Sequence, residues 1–154
     1  MARRVFICYE GHDRNRAKGF HLLRWNKNVD LDFVGRHLLD PVDSTNRDYI
    51  TRKIKEQIKG TSVTVVLIGQ HTADSEWVSD EVRWSLEKDN PNGILGIKLD
   101  ANASVPEILS DCGAEVIEWK PNDFAGAFER AAQQARRAES LARVGSSGGA
   151  GCVR

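Results

Sequence analysis

Two hydrophobic rhythms alternate along the chain. Short β-branched or aromatic runs at residues 5–9 (Val-Phe-Ile-Cys-Tyr), 30–34, 62–68 (Ser-Val-Thr-Val-Val-Leu-Ile), 93–99 and 115–119 predict five strands. Helical patterns fill the gaps. Residues 13–26 form the first, with a weakly defined apolar face. Ile50, Ile54 and Ile58 recur every fourth residue and stop at Gly60. Asp74 or Ser75 caps a helix running to Lys88. Residues 105–109 suggest a helical turn, and a last helix starts near Pro121 with Phe124, Phe128, Ala131 and Ala135 on one face. Parallel strands need such crossovers, so the pattern predicts an α/β fold. The expected form is a doubly wound, flavodoxin-like five-stranded parallel sheet of order 2-1-3-4-5, with helices on both faces. Ligands of such sheets bind beyond the carboxyl ends of the strands, between strands 1 and 3. That geometry singles out residues 8–13, 35–46 and 69–81.

Composition narrows the function classes. The 154 residues carry 22 basic and 22 acidic side chains, so the formal net charge is zero. A nucleic-acid binder usually shows a basic excess, and none is present. No apolar run approaches the about 20 residues of a membrane helix. The stretch after Arg3 and Arg4 is too short for the core of a secretion signal. Cys8, Cys112 and Cys152 form neither a disulfide framework nor a CxxC clip. A reduced, cytoplasmic protein without membrane or nucleic-acid partners is expected. Residues 1–142 read as one domain and residues 143–154, rich in glycine and serine, as a disordered tail. The four histidines lack HxH or HExxH spacing, so no metal site is expected. Neither GxGxxG nor GxxxxGK[ST] occurs, which argues against ordinary Rossmann or P-loop nucleotide binding. Strand 3 ends in Gly69-Gln70, without the aspartate that a phospho-receiver domain needs there.

The helix after strand 3 carries the most informative residues. At about 100° per residue, Trp77, Val78, Val82, Trp84, Ser85 and Leu86 share one arc, and Glu81 falls inside it. Glu76, Asp80 and Glu87 lie on the opposite side with Arg83. A carboxylate on an apolar face is costly unless it is paired or borders a cleft. Two readings follow for Glu81: a functional carboxylate with a raised pKa, or an edge residue paired with a nearby Arg or Lys. Trp77, one turn earlier, is either a ligand wall or part of the core. The connection 35–46 is long for a βα loop and holds Arg36, His37, Asp40, Pro41, Asp43 and Ser44. It reads equally as a lid or as a polar surface excursion.

These residues resemble a known family. Val5-Phe6-Ile7-Cys8-Tyr9 resembles the first box of Toll/interleukin receptor (TIR) domains, with Cys8 where serine is usual. Trp77-Val78-Ser79-Asp80-Glu81 resembles their WxxxE helix. The stretch from Asp48-Tyr49-Ile50 through Lys59-Gly60-Thr61 into strand 3 is similar to the TIR-like proteins of the Thoeris anti-phage system. So are Gly93-Ile94-Leu95-Gly96-Ile97 and Val105-Pro106-Glu107. The similarity spans residues 3–140. It implies an enzyme of the NAD+ glycohydrolase or ADP-ribosyl cyclase type, with NAD+ as substrate and no separate cofactor. Glu81 would be the catalytic glutamate. Cys8, Tyr9 and Asp13, at the mouth of the cleft after strand 1, would bind substrate with Trp77. Phe33 and the loop 35–46, including Asp43 and Ser44, would stand where the family's BB loop borders the NAD+ site. The product implied is a cyclic ADP-ribose isomer acting as a second messenger in antiviral defence, sensed by a downstream effector. Self-association on activation is also implied. TIR domains include silent adaptors, so the alternative is a non-catalytic module acting by self-association.

Overall fold

In the computed structural model, residues 3–26, 33–36 and 46–144 are described, the backbone alone at 33–36 and 139–144. The strands are β1 (Arg3–Cys8), β2 (Phe33–Arg36), β3 (Val63–Ile68), β4 (Gly93–Lys98) and β5 (Glu115–Glu118). The helices are α1 (Arg14–Leu22), α2 (Arg47–Ile58), α3 (Glu76–Glu87), α4 (Glu107–Asp111) and α5 (Phe124–Val144). All five strands pair in parallel, in the order β2-β1-β3-β4-β5.

Every residue of β3 is buried because the strand lies at the centre of a sheet covered on both faces. Alternate side chains of β1 and β3 therefore feed two cores. On one face, Val5, Ile7, Val65 and Leu67 pack against Phe20 of α1 and Phe124 and Phe128 of α5. On the other, Phe6, Cys8, Val66 and Ile68 meet Ile54 and Ile58 of α2, Val78 and Val82 of α3 and Leu109 of α4. Each such side chain contributes roughly 1.5–3 kcal/mol by leaving water. Gly93 opens β4 because a Cβ there would lie 2.1 Å from the Ala131 carbonyl oxygen, so α5 can close directly onto the sheet.

Several boundaries differ from the pattern: α4 spans Glu107–Asp111 rather than 105–109, and β3, β4 and β5 are each one residue shorter than expected. β1 starts two residues early, at Arg3, and Tyr9 lies beyond its end. β2 covers residues 33–36 rather than 30–34, because its pairing with β1 continues through Gly35 and Arg36 opposite Val5 and Phe6. Positions 30–32 lie outside the described residues. The first helical segment is divided, with single 3-10 turns at Gly11–Asp13 and Leu23–Trp25 flanking α1. Its short apolar contribution explains this: among its residues, only Ala17 and Phe20 of α1 are buried, with Asp13 in the preceding turn. At the far end α5 continues to Val144, two residues into the expected tail. Arg136, Arg137, Ala138, Leu141, Ala142 and Arg143 are strong helix formers, and the first glycine comes only at 145. Residues 145–154 lie outside the described residues.

Candidate active site

The site is built where β1 and β3 end and α3 begins. Ser75 caps α3 by accepting a hydrogen bond from the Val78 amide at 3.2 Å, which fixes the rotation of the helix. Val78, Val82 and Ser85 then face the sheet, fully buried. Glu81 lies on the same face and is only partly exposed. The Ser85 hydroxyl donates to the Glu81 carbonyl at 2.8 Å and lies 2.7 Å from the Thr64 hydroxyl of β3, so α3 is tied to the sheet one turn after the carboxylate.

At the end of β1, the Cys8 thiol donates to Glu81 Oε1 across 3.0 Å. Cys8 is 1% exposed. Burial pushes the Glu81 carboxyl up to about 7; the Cys8 hydrogen bond opposes that rise and the neighbouring Asp80 charge adds to it. Burial likewise pushes the Cys8 thiol well above its ordinary value, reinforced by the charge and the hydrogen bond of Glu81. At neutral pH the thiol is therefore a proton donor, and the carboxyl is poised between its two states.

Of the other expected site residues, the structure brings only some near this pair. Trp77 stands one turn before Glu81, partly buried in the seam between α3 and α2. The Arg47 guanidinium lies 4.3 Å over its ring, and Trp84 meets it edge-on at 6.3 Å. Arg47 also reaches Asp80 at 3.3 Å, and Arg83 holds the other oxygen of Asp80 at 2.9 Å. Tyr9 packs against the opposite core, the one under α1 and α5, because successive side chains of an extended chain alternate. Asp13 is 3% exposed and belongs to the turn before α1. Its Oδ1 lies 3.5 Å from Arg16, while Oδ2 rests over Gly69 without a hydrogen-bond partner among the described residues. Burial raises the Asp13 carboxyl, with Arg16 opposing. Gly69 was legible only as the end of a strand, yet a Cβ there would lie 2.1 Å from Asp13 Oδ2. Beside this contact, His12 and His71 stack at 4.2 Å, and Glu10 accepts from the His12 amide at 2.9 Å. The backbone of Phe33 pairs with Arg3; its side chain, and Asp43 and Ser44 with the rest of 37–45, lie outside the described residues.

A cleft of about 560 Å³, lined by Lys55, Trp84 and Lys88 among others, opens at the end of the sheet where β3 starts. Glu81 does not line it. A cleft of about 430 Å³ lies between Arg47 and the first turns of α3, at the carboxyl ends of the strands. This smaller cleft lies at the edge where sheets of this class bind ligands, but it is lined by Glu76, Ser79 and Asp80 of α3 and not by Glu81 or Cys8.

Residues 6–104, which carry both Cys8 and Glu81, match the family described as Thoeris protein ThsB, TIR-like domain. The chain belongs to that family. A ThsB-family relative from Bacillus cereus (strain MSX-D12), named "Putative cyclic ADP-D-ribose synthase ThsB1", is 30% identical over 106 residues. The match covers 66% of this chain and 54% of the relative, so the chain spans about half the length of the curated protein it matches. Among solved structures, the TIR domain of the Toll-related receptor TRR-2 from Hydra magnipapillata superposes with a TM-score of 0.53 at 20% identity. That likeness covers 86% of this chain and 97% of the receptor domain, and it establishes the TIR fold. Within this ThsB-type domain no helix among the described residues is long and apolar enough to cross a membrane, and no metal-binding cluster occurs among them.

Proposed function

We propose that this ThsB-type TIR-like domain cleaves NAD+ at the nicotinamide glycosidic bond, with Glu81 as the catalytic carboxylate. The observation that carries the reading is a carboxylate on the sheet-facing side of α3, beside the end of β1. A family match and a relative named for cyclic ADP-ribose synthesis support it. In NAD+ the nicotinamide nitrogen is already cationic. When its bond to the anomeric carbon breaks, the electron pair leaves with the base, which departs neutral and needs no strong general acid. Positive charge then develops on the ribose, and an adjacent carboxylate stabilises it and orients the ribose hydroxyls. Capture of the sugar cation by a nucleophile of the same molecule gives a cyclic ADP-ribose isomer. Capture by water gives linear ADP-ribose. Cyclisation is the proposed outcome, and it requires a pocket that folds the adenine end back and excludes water until the ring closes. The product would act as a second messenger, read by a separate effector, and self-association would regulate the activity.

Only the ionised carboxylate serves this role. The rate of nicotinamide release is therefore expected to rise with pH through about 7, where Glu81 ionises. Glu81→Gln keeps the shape without the charge and is expected to lower the rate by roughly 100-fold or more. Wild-type turnover in that variant would refute the assignment.

A further inference from the structure

The first box of this chain has cysteine where the TIR pattern has serine, and the geometry gives that cysteine a partner. We propose that Cys8 is a positioning residue: its thiol donates to Glu81 Oε1 and holds the carboxylate toward the substrate without itself touching substrate. This deepens the reading of Glu81 above and rests on it.

Three observations carry the proposal. Cys8 is 1% exposed, so a ligand in the cleft cannot reach its sulfur without displacing packed side chains. Its Sγ lies 3.0 Å from Glu81 Oε1 and 3.9 Å from the Val78 carbonyl, so both acceptors it reaches among the described residues belong to α3. The end of β1 is rigid, because Cys8 sits opposite Val66 in the central strand pairing and packs into the core with Ile54 and Val78. A donor on a rigid strand can fix a side chain on a neighbouring helix, as outer-shell partners fix catalytic groups generally.

The surroundings decide what removal of the thiol would do. Glu81 is faced by Cys8 from β1 and by Asp80 from its own helix. Asp80 is paired with Arg47 of α2 and Arg83 of α3, while β3 and α4 contribute Val66, Ile68 and Leu109 to the same core. The thiol hydrogen bond is thus the influence that favours the charged form, against burial and Asp80. A thiol donates more weakly than a hydroxyl, so cysteine here leaves the carboxylate less firmly ionised than serine would.

The test compares Cys8→Ala and Cys8→Ser with wild type, reading kcat and KM for nicotinamide release from pH 5.5 to 9. In Cys8→Ala the midpoint of the kcat profile is expected to move up, and kcat at pH 7 to fall roughly three- to tenfold, with KM within about twofold. Cys8→Ser is expected to restore kcat and move the midpoint below the wild-type value. A raised KM with an unmoved midpoint would make Cys8 a substrate contact and overturn the proposal; so would an unchanged profile in Cys8→Ala. Infrared spectroscopy reads the bond without turnover. The S–H band assigned by its loss in Cys8→Ser should shift as Glu81 titrates and stop shifting in Glu81→Gln. A band indifferent to both would also overturn the proposal. If the band behaves as expected but Glu81→Gln turns over like wild type, the positioning contact stands and the catalytic reading of Glu81 fails.

Discussion

A carboxylate taken out of water carries its charge only at a cost to the fold. For Glu81 the sign is fixed by the direction of its displacement. Its pKa in the folded chain, about 7, lies above the ordinary 4.5. Between those values the folded state binds the proton and the unfolded state does not, so Glu81 removes stability as pH rises from about 4.5 to 7. The full cost, of order 3 kcal/mol, persists above pH 7. Glu81→Gln should therefore melt well above wild type at pH 8 and close to it at pH 4.5, as differential scanning calorimetry at the two pH values would report. Equal melting temperatures at pH 8 would mean that the carboxylate is not desolvated. The neighbouring contact makes a second residue-scale prediction. Gly69→Ala would push a methyl into Asp13 Oδ2, so it should destabilise by about 1–3 kcal/mol. Asp13→Gly in the same chain should relieve much of that penalty. Additive denaturation free energies would show that the two positions do not meet.

At the scale of elements, α3 is held by unlike interactions on its two sides. Toward the sheet, Ser85 meets Thr64, and Asn92 donates to the hydroxyls of Thr61 and Thr64 at 2.9 and 3.0 Å, forming a buried polar knot. Toward α2, Trp77 and Trp84 lie under Arg47 and Lys55, half-buried and capped by cations. Trp77→Ala should therefore cost about 2 kcal/mol, less than the ~3–5 kcal/mol of a fully buried aromatic. If Trp77 also borders substrate, KM for NAD+ should rise in the same variant. A larger loss of stability with unaltered KM would make the ring purely core. Much of this element was legible in the chain. The cap at Ser75, the buried arc of Val78, Val82 and Ser85 and the inward place of Glu81 all follow from local periodicity, which a helix obeys whatever surrounds it. The divided first helix was less legible, because a segment with so little apolar surface is shaped by what packs on it. Contacts between distant residues were not legible at all. Cys8 and Glu81 are 73 positions apart, and only the β1-β3 register and the rotation of α3 bring them together. Tyr9 shows the converse: adjacent to Cys8 in sequence, it is sent to the other core by the strand's alternation.

For the whole molecule, a five-stranded sheet of order β2-β1-β3-β4-β5 puts the ends of β1 and β3 beside the start of α3, and this places the candidate chemistry at one edge. The formal charge of the chain sums to zero, so long-range repulsion would hardly oppose association of copies. A second copy that docked better against the active arrangement would shift the population toward it by its difference in affinity for the two states. The proposed regulation by self-association thus predicts specific activity that grows with protein concentration, and the central claim can be tested in the same series. NAD+ is incubated with the protein over a roughly hundredfold range of concentration at pH 8, and the mixture is analysed by mass spectrometry. The account predicts nicotinamide together with an ADP-ribose isomer one water lighter than linear ADP-ribose, and neither with Glu81→Gln. Intact NAD+ at every concentration, or equal nicotinamide from the Glu81→Gln variant, would contradict it.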